Sequence, residues 1–443
     1  MADDKKEFQD KLPTSKVQRA GRVFKTTFKV GANYIKHAAQ KVVNDQIDEQ
    51  ALNEKNADEL FKLMSQLKGS ALKIAQMISM DNGFLPKQYA EKFAQAQNSA
   101  MALSAPLVVN TFKKYIGKTP QEIFDKFNPV AVHSASIGQV HKAEKDGLQF
   151  AVKLQYPGVA ESIHSDINLV KPIFLRVIGI KEKEVQPYFD EFEERLNEEC
   201  DYEKELHNAV FIAEKVKHIP NLIIPKYYPQ YSSKKILTMQ WMNGMPLQQF
   251  LEQETNQDKK NKVGQALLDF LFYQIHYLHQ FHADPHPGNF LVSEDAQLIV
   301  LDFGCVKSIS NEFYQNYFAL ANEKYVQDKN KLNQILSHLD VLRPNDNPDK
   351  YTLFLETAKK AIALITYPTK FESFYFGDKN FYEKLQAQGE EIFLNKEFRK
   401  PDAIRGSQHA IYLHRAFYGM YAILYKLNAT VKVDNSFIEK IAI

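Results

Sequence analysis

Apolar residues fall at three- and four-residue steps along most of the chain, and one central stretch switches to β-branched alternation. Between Asp48 and Glu91, Leu60, Leu63, Met64, Leu67, Ala71, Leu72 and Ile74 keep helical spacing until Gly83 and Pro86 end the pattern. Further helices are predicted over Pro86 to Asn98 and Ala105 to Tyr115. From Val130 the texture is that of strands, over Val130 to Ala143 and again over Leu148 to Gln155, with Lys145, Asp146 and Gly147 as the hairpin signal between them. Helices at 158–179 and 184–216 and strands at 222–228 and 234–242 follow, and Asn243-Gly244 reads as a hinge. Residues 246–443 are mostly helical except near 282–304. There is no internal repeat and no low-complexity stretch.

This order predicts a basic N-terminal segment (1–47), a helical extension (48–129), a mixed lobe with a helical insertion (130–245) and a helical lobe (246–443). Residues 11 to 43 carry eight Lys or Arg and no acidic residue. Val17, Ala20, Phe24, Phe28, Gly31 and Ile35 would form a narrow apolar stripe on a helix, flanked by Arg19, Arg22, Lys25, Lys29 and Lys36. A helix over 14–36 fits two roles: lying in the plane of an anionic membrane, or packing its stripe on the body of the protein with the lysines in solvent.

The remaining composition narrows the class. With 44% hydrophobic residues in 443, the chain has ample material for large cores. A net charge of +2, from 56 basic and 54 acidic residues, gives no global electrostatic case for a nucleic-acid partner. Cys200 and Cys305, the two cysteines, read as buried thiols in a reducing compartment. No secretory signal is recognisable and no apolar run reaches the ~20 residues that span a bilayer, so the expectation is a cytoplasmic protein without a transmembrane helix, with membrane contact only peripheral.

Chemistry concentrates in His282 to Asn289 (HADPHPGN) and Leu301 to Gly304 (LDFG). In protein kinases a catalytic-loop Asp accepts the substrate hydroxyl proton, an Asn five positions later holds one Mg²⁺, and the Asp of a DFG turn holds another. Asp284, Asn289 and Asp302 repeat that spacing and leave room for a short hairpin between Asn289 and Asp302. Asp284 is therefore the candidate base, and Asn289 and Asp302 are the candidate metal ligands. Hard cations bridging phosphates need oxygen donors of this kind.

Lys153, in Phe150 to Lys153, resembles the strand lysine that reaches the α/β-phosphates of ATP and needs an acidic partner on a helix. Glu198, Glu199, Asp201, Glu203 and Glu205 supply carboxylates, and spacing alone does not choose among them. His282 sits where kinases place a packing histidine, and His286 fits either phosphate contact or loop packing. No Cys/His spacing suits zinc.

In place of a Gly-rich phosphate loop stands the segment His133 to Gln139. With it the chain resembles the UbiB/AarF family of atypical kinases, in which an Ala-rich loop takes that position. The resemblance runs over roughly 55–310, through Ala135 to His141, Ala151 to Lys153 with Gln155 to Gly158, Glu199 to Glu205, His282 to Asn289 and Leu301 to Gly304. It implies that Glu205 pairs with Lys153, that Glu199 and Asp201 form an E-x-D element, and that Ala135, Ser136, Gly138 and Gln139 line the nucleotide. It also aligns Lys73 to Gln76 with the family's Lys-x-Gly-Gln element, which folds over the active site; Ala75 stands where the family has Gly. His133 and Ser134 replace alanines of the usual run.

The resemblance implies an α+β, two-lobed protein-kinase-like fold with an N-terminal helical extension and a mostly helical C-terminal lobe. It implies an atypical kinase or ATPase using ATP and Mg²⁺, acting on a small or lipid-like substrate such as an isoprenoid in quinone metabolism. Lys73 and Gln76 would exclude a peptide substrate. The alternative is a catalytically silent, nucleotide-sensing module that regulates a partner or lipid. A choline- or aminoglycoside-type kinase shares the catalytic spacing but lacks the Lys73 and Glu199-Asp201 elements.

Overall fold

Asp146 and Gly147 both take positive φ, 50° and 76°, which is what a two-residue turn between right-twisted strands requires. The computed structural model describes residues 54, 56–62, 64, 73–74, 103–134, 137–178, 182–399 and 405–441. The predicted basic helix at 14–36, most of the helical extension, and Gln76, Ala135 and Ser136 lie outside the described residues. The chain divides into two units, Met1–Leu206 with Lys226–Trp241, and His207–Pro225 with Met242–Ile443.

In the first unit, helix α1 (Ala105–Tyr115) carries a proline in its first turn and Lys113 and Lys114 in its last, each favourable at that end of a helix. The sheet comprises β1 (Lys126–Phe127), β2 (His133–Ser134), β3 (Gly138–Lys145), β4 (Leu148–Gln155) and β5 (Ile236–Gln240). Its order is β1-β3-β4-β5, with β2 also paired to β3, and every pairing is antiparallel. The single strand expected over Val130 to Ala143 is thus two. They pair antiparallel, with His133 facing Val140 and Ser134 facing Gln139.

Rings of Phe112, Phe124, Phe127, Phe150, Tyr228 and Tyr231 pack edge-on and stacked behind this sheet. Helices α2 (Val159–Ile178) and α3 (Glu182–Glu199) follow, and α4 (Tyr202–Lys215) belongs to this unit through Leu206 and to the second unit from His207. The helix predicted over 184–216 is broken at Cys200 and Asp201, because the Asp201 carboxylate accepts a hydrogen bond from Lys204 N (3.0 Å) and starts a new helix. The strands predicted at 222–228 and 234–242 shrink to Leu222–Ile223 and β5. Pro225 and Pro229 cannot donate to a ladder.

In the second unit, helix α5 (Gln257–Tyr273), capped by Asn256, runs into a π-helical turn at Gln274–Leu278. Strands β6 (Gln280–His282), β7 (Phe290–Val292), β8 (Leu298–Val300) and β9 (Val306–Ser308) come next. The order Leu222–Ile223, β8, β7, Met245–Pro246 forms one small sheet, and β6 pairs with β9 in another. The rest is chiefly helical, ending in α6 (Gln408–Lys426) and the short strand Thr430–Lys432, which pairs with Ser373–Tyr375. Cys200 and Cys305 are buried free thiols. Among the described residues no helix is long and apolar enough to cross a membrane.

Candidate active site

Each unit holds one part of the constellation. In the first, Lys153 points inward from β4, and its ammonium lies 3.1 Å from both carboxylate oxygens of Glu205 on α4. Glu205 is 1% exposed, so its charge depends on that cation. The break between α3 and α4 is fixed to the same strand, since Gln155 Nε2 donates to Cys200 O at 2.9 Å. At the end of α3, Glu199 pairs with Lys73 at 2.8 Å, joining the helical extension to the segment before α4. Asp201, the other member of that element, is exposed and serves as the α4 cap.

Gly138 opens β3 where a methyl on its Cα would lie 2.5 Å from Leu154 O, so a side chain cannot stand there without moving backbone. Gln139 next to it is fully buried. Its Oε1 accepts from Leu103 N (2.7 Å) and its Nε2 meets His141 Nε2 (2.7 Å). Desolvation holds the His141 ring below the ordinary imidazole range, so it is neutral, with Nδ1 donating to Asn128 O (2.9 Å). Gln139 thereby locks the interior of this sheet.

In the second unit the β6/β9 ladder, with His282 opposite Val306 and Ala283 N bonded to Cys305 O (2.9 Å), clamps the two ends of the loop together. The β7/β8 hairpin fills the interval between Asn289 and Asp302, and Leu301 N reaches back to Asn289 O (2.9 Å). Asp284, Asn289 and Asp302 are brought side by side in this way. His282 is 1% exposed and joins them: its Nδ1 accepts from Asp284 N (3.2 Å), which leaves Nε2 to donate to Asp302 O (2.9 Å). His286 Nδ1 accepts from Gly288 N (3.0 Å) and shapes the turn.

Asn289 Nδ2 donates to Asp284 O (2.9 Å), which turns its amide oxygen into the donor left for a cation. Asp302 Oδ1 accepts from Gly304 N (2.9 Å). No group of three or more His, Cys, Asp or Glu side chains suited to a metal occurs among the described residues. One carboxylate and one amide oxygen nevertheless suit Mg²⁺, which takes the rest of its shell from phosphate and water.

Sequence reasoning missed three supports. Gln274 Oε1 in the π-turn accepts from His282 N (3.3 Å), Asn208 Nδ2 on α4 donates to Phe303 O (3.2 Å), and Lys307 lies over the ring of Tyr412 on α6 (4.3 Å). None belongs to a motif. Asn208 alone carried a signal, being one helical turn beyond Glu205.

A strand lysine paired with a helix carboxylate, and an Asp, Asn and Asp set around a clamped hairpin, define a kinase-like domain. The chain belongs to the ABC1 atypical kinase-like family, whose model matches residues 95–336. It is 26% identical to "Atypical kinase COQ8B, mitochondrial" of Danio rerio over 97% of this chain and 69% of that protein. It is also 26% identical to "Atypical kinase COQ8, mitochondrial" of Saccharomyces cerevisiae, over 97% of this chain and 85% of that one. Among solved structures it resembles Rv3197 of Mycobacterium tuberculosis, solved with erythromycin, at 26% identity and a TM-score of 0.58, covering 88% of this chain and 96% of that one.

Proposed function

We propose that the protein binds MgATP and either hydrolyses it or transfers its γ-phosphoryl group to a small or lipid-like acceptor. The observation that carries this reading is the Lys153–Glu205 pair, with the ammonium 3.1 Å from both oxygens of a buried carboxylate. An ammonium held so firmly is oriented for phosphate oxygens. Asn289 Oδ1 and the Asp302 carboxylate would hold Mg²⁺, which supplies charge neutralisation on the phosphates when bound. Asp284 would accept the proton of the attacking hydroxyl or water. His282, bonded to Asp284 N and Asp302 O, keeps base and metal ligand in register.

The Lys73–Glu199 pair supports the reading that the acceptor is not a peptide, since it ties Lys73 to the end of α3. Isoprenoid or quinone-type lipids are the acceptor class that the resemblance to the UbiB/AarF family implies. A peripheral contact of residues 14–36 with anionic membrane would bring the site to such molecules.

The test is thermal stabilisation of the full chain by MgATP together with phosphate release, with and without anionic liposomes. Asp302→Asn is expected to abolish both the Mg²⁺-dependent stabilisation and turnover. Unchanged stabilisation in that variant would overturn the metal assignment, and stabilisation without any turnover in the parent would favour the silent nucleotide-sensing alternative.

A further inference from the structure

Helix α6 lies beyond the residues the family model matches, yet it packs on the catalytic loop. Its Gly419 sits in the helix interior, a position where Gly is disfavoured relative to Ala. The reason is the neighbour: a methyl on the Gly419 Cα would lie 2.4 Å from Pro285 Cγ, 3.4 Å from Cβ and 3.5 Å from Cδ. Pro285 is buried, and a pyrrolidine ring cannot swing aside as a flexible side chain does.

Pro285 follows Asp284 and stands at the centre of a tight turn. Asp284 O accepts from His286 N (2.7 Å) on one side and from Asn289 Nδ2 (2.9 Å) on the other. A displaced Pro285 ring therefore carries Asp284 and Asn289 with it. Two helical turns earlier on α6, Tyr412 lies under Lys307, the second residue of β9, so the same helix also supports the strand after the DFG turn.

We propose that Gly419 is a positioning residue for the reaction: the bare helix surface there sets the depth at which the catalytic loop rests, and hence the placement of Asp284. The role rests on the assignment of Asp284 as the base. Restoring an ordinary carbon–carbon separation from 2.4 Å requires a shift of about 1 Å, and misplacement on that scale costs on the order of a hundredfold in rate.

The experiment is a double-mutant cycle in the full chain with Gly419→Ala, Pro285→Ala and both together. Gly389→Ala is the control, because none of the described residues lies within 4 Å of a methyl there and it is exposed on its own helix. In MgATP turnover, Gly419→Ala is expected to lower kcat on the order of 10- to 100-fold, with KM for MgATP changed by less than roughly threefold. In the Pro285→Ala background the same substitution should lower kcat by less than about threefold, because the colliding atoms are gone. A Gly419→Ala loss of kcat no larger than that of Gly389→Ala, or one equally large in both backgrounds, overturns the proposal.

If the parent protein shows no turnover, the proposed activity fails and hydrogen exchange decides the positioning role. Faster exchange confined to 283–289 in Gly419→Ala, reversed by Pro285→Ala, supports it. Unchanged exchange, or a uniform increase across the second unit, overturns it.

Discussion

Lys153 and Glu205 offer the sharpest physical test because their solvent exposure is unequal. Glu205 is 1% exposed and the Lys153 side chain 15%. Lys153→Met leaves a carboxylate sealed away from water without its ammonium at 3.1 Å, and uncompensated buried charges of this kind cost about 3–5 kcal/mol. The ammonium also lies 5.0 Å from the Tyr202 ring, adding about 0.5–1 kcal/mol to the loss. Glu205→Gln leaves the lysine, which can turn its head toward water, and keeps a polar acceptor, so about 1–2 kcal/mol is expected. The double variant should recover most of the Lys153→Met loss. Trp241 is the only tryptophan and belongs to the same unit as the pair, with its backbone N–H donating to Gln149 O (2.9 Å). Urea unfolding followed by its fluorescence therefore reads the relevant unit. Equal losses from the two single substitutions, or a Lys153→Met loss under about 1 kcal/mol, would refute the claim that this carboxylate is buried and cation-dependent.

Gly138→Ala should destabilise the first unit by at least about 1–3 kcal/mol in the same Trp241 assay, because the new methyl meets Leu154 O at 2.5 Å rather than a movable side chain. Arg405 and Asp346 form a buried pair, 3% and 4% exposed, whose hydrogen bonds hold the Asp346 carboxyl down at about 2. A depressed carboxyl contributes stability that is complete above the unfolded value near 3.9 and is lost as pH falls through about 2. Arg405→Leu should thus cost about 3–5 kcal/mol at neutral pH, by circular dichroism in urea, with the gap to the parent closing between pH 4 and 2. His414, whose enclosed Nε2 has no hydrogen-bond partner among the described residues, is pushed down to about 4 by desolvation. The unfolded ring takes up a proton near 6.5 while the folded one does not, so stability is full above 6.5 and falls by roughly 2–3 kcal/mol as pH drops to 4. His414→Gln should flatten that slope, and an unchanged slope would contradict the assignment.

Much of this architecture is written locally. Asp146-Gly147 names its hairpin because few other residues accept φ of 50° and 76° in succession, and the apolar spacing and end charges of Ala105 to Tyr115 delimit α1. The break in 184–216 is illegible for the opposite reason. Glu-rich, strongly helix-forming residues continue on both sides of it, and the deciding event is one cap at Asp201. The spacing of Asp284, Asn289 and Asp302, which repeats that of protein kinases, could be read because loop chemistry of that kind demands fixed residue types at fixed intervals. Gly419 could not, because its partner Pro285 is remote in sequence and its meaning is an absence of atoms. The fate of Gln139 was hidden likewise: the family resemblance implies a nucleotide contact, and nothing local announces the burial that turns its amide to Leu103 and His141.

The bend between α3 and α4 has a consequence for how this chain can vary. Glu199 grips Lys73 from the last position of one helix, and Glu205 grips Lys153 from the first turns of the next. Each residue of an α-helix advances the side chains by about 100°. Inserting or deleting a single residue between Tyr202 and Glu205 would swing Glu205 away from Lys153 while leaving the Glu199 pair untouched. Length changes should therefore be purged from this stretch even where substitutions are tolerated, and the Lys145 to Leu148 turn should accept them far more readily.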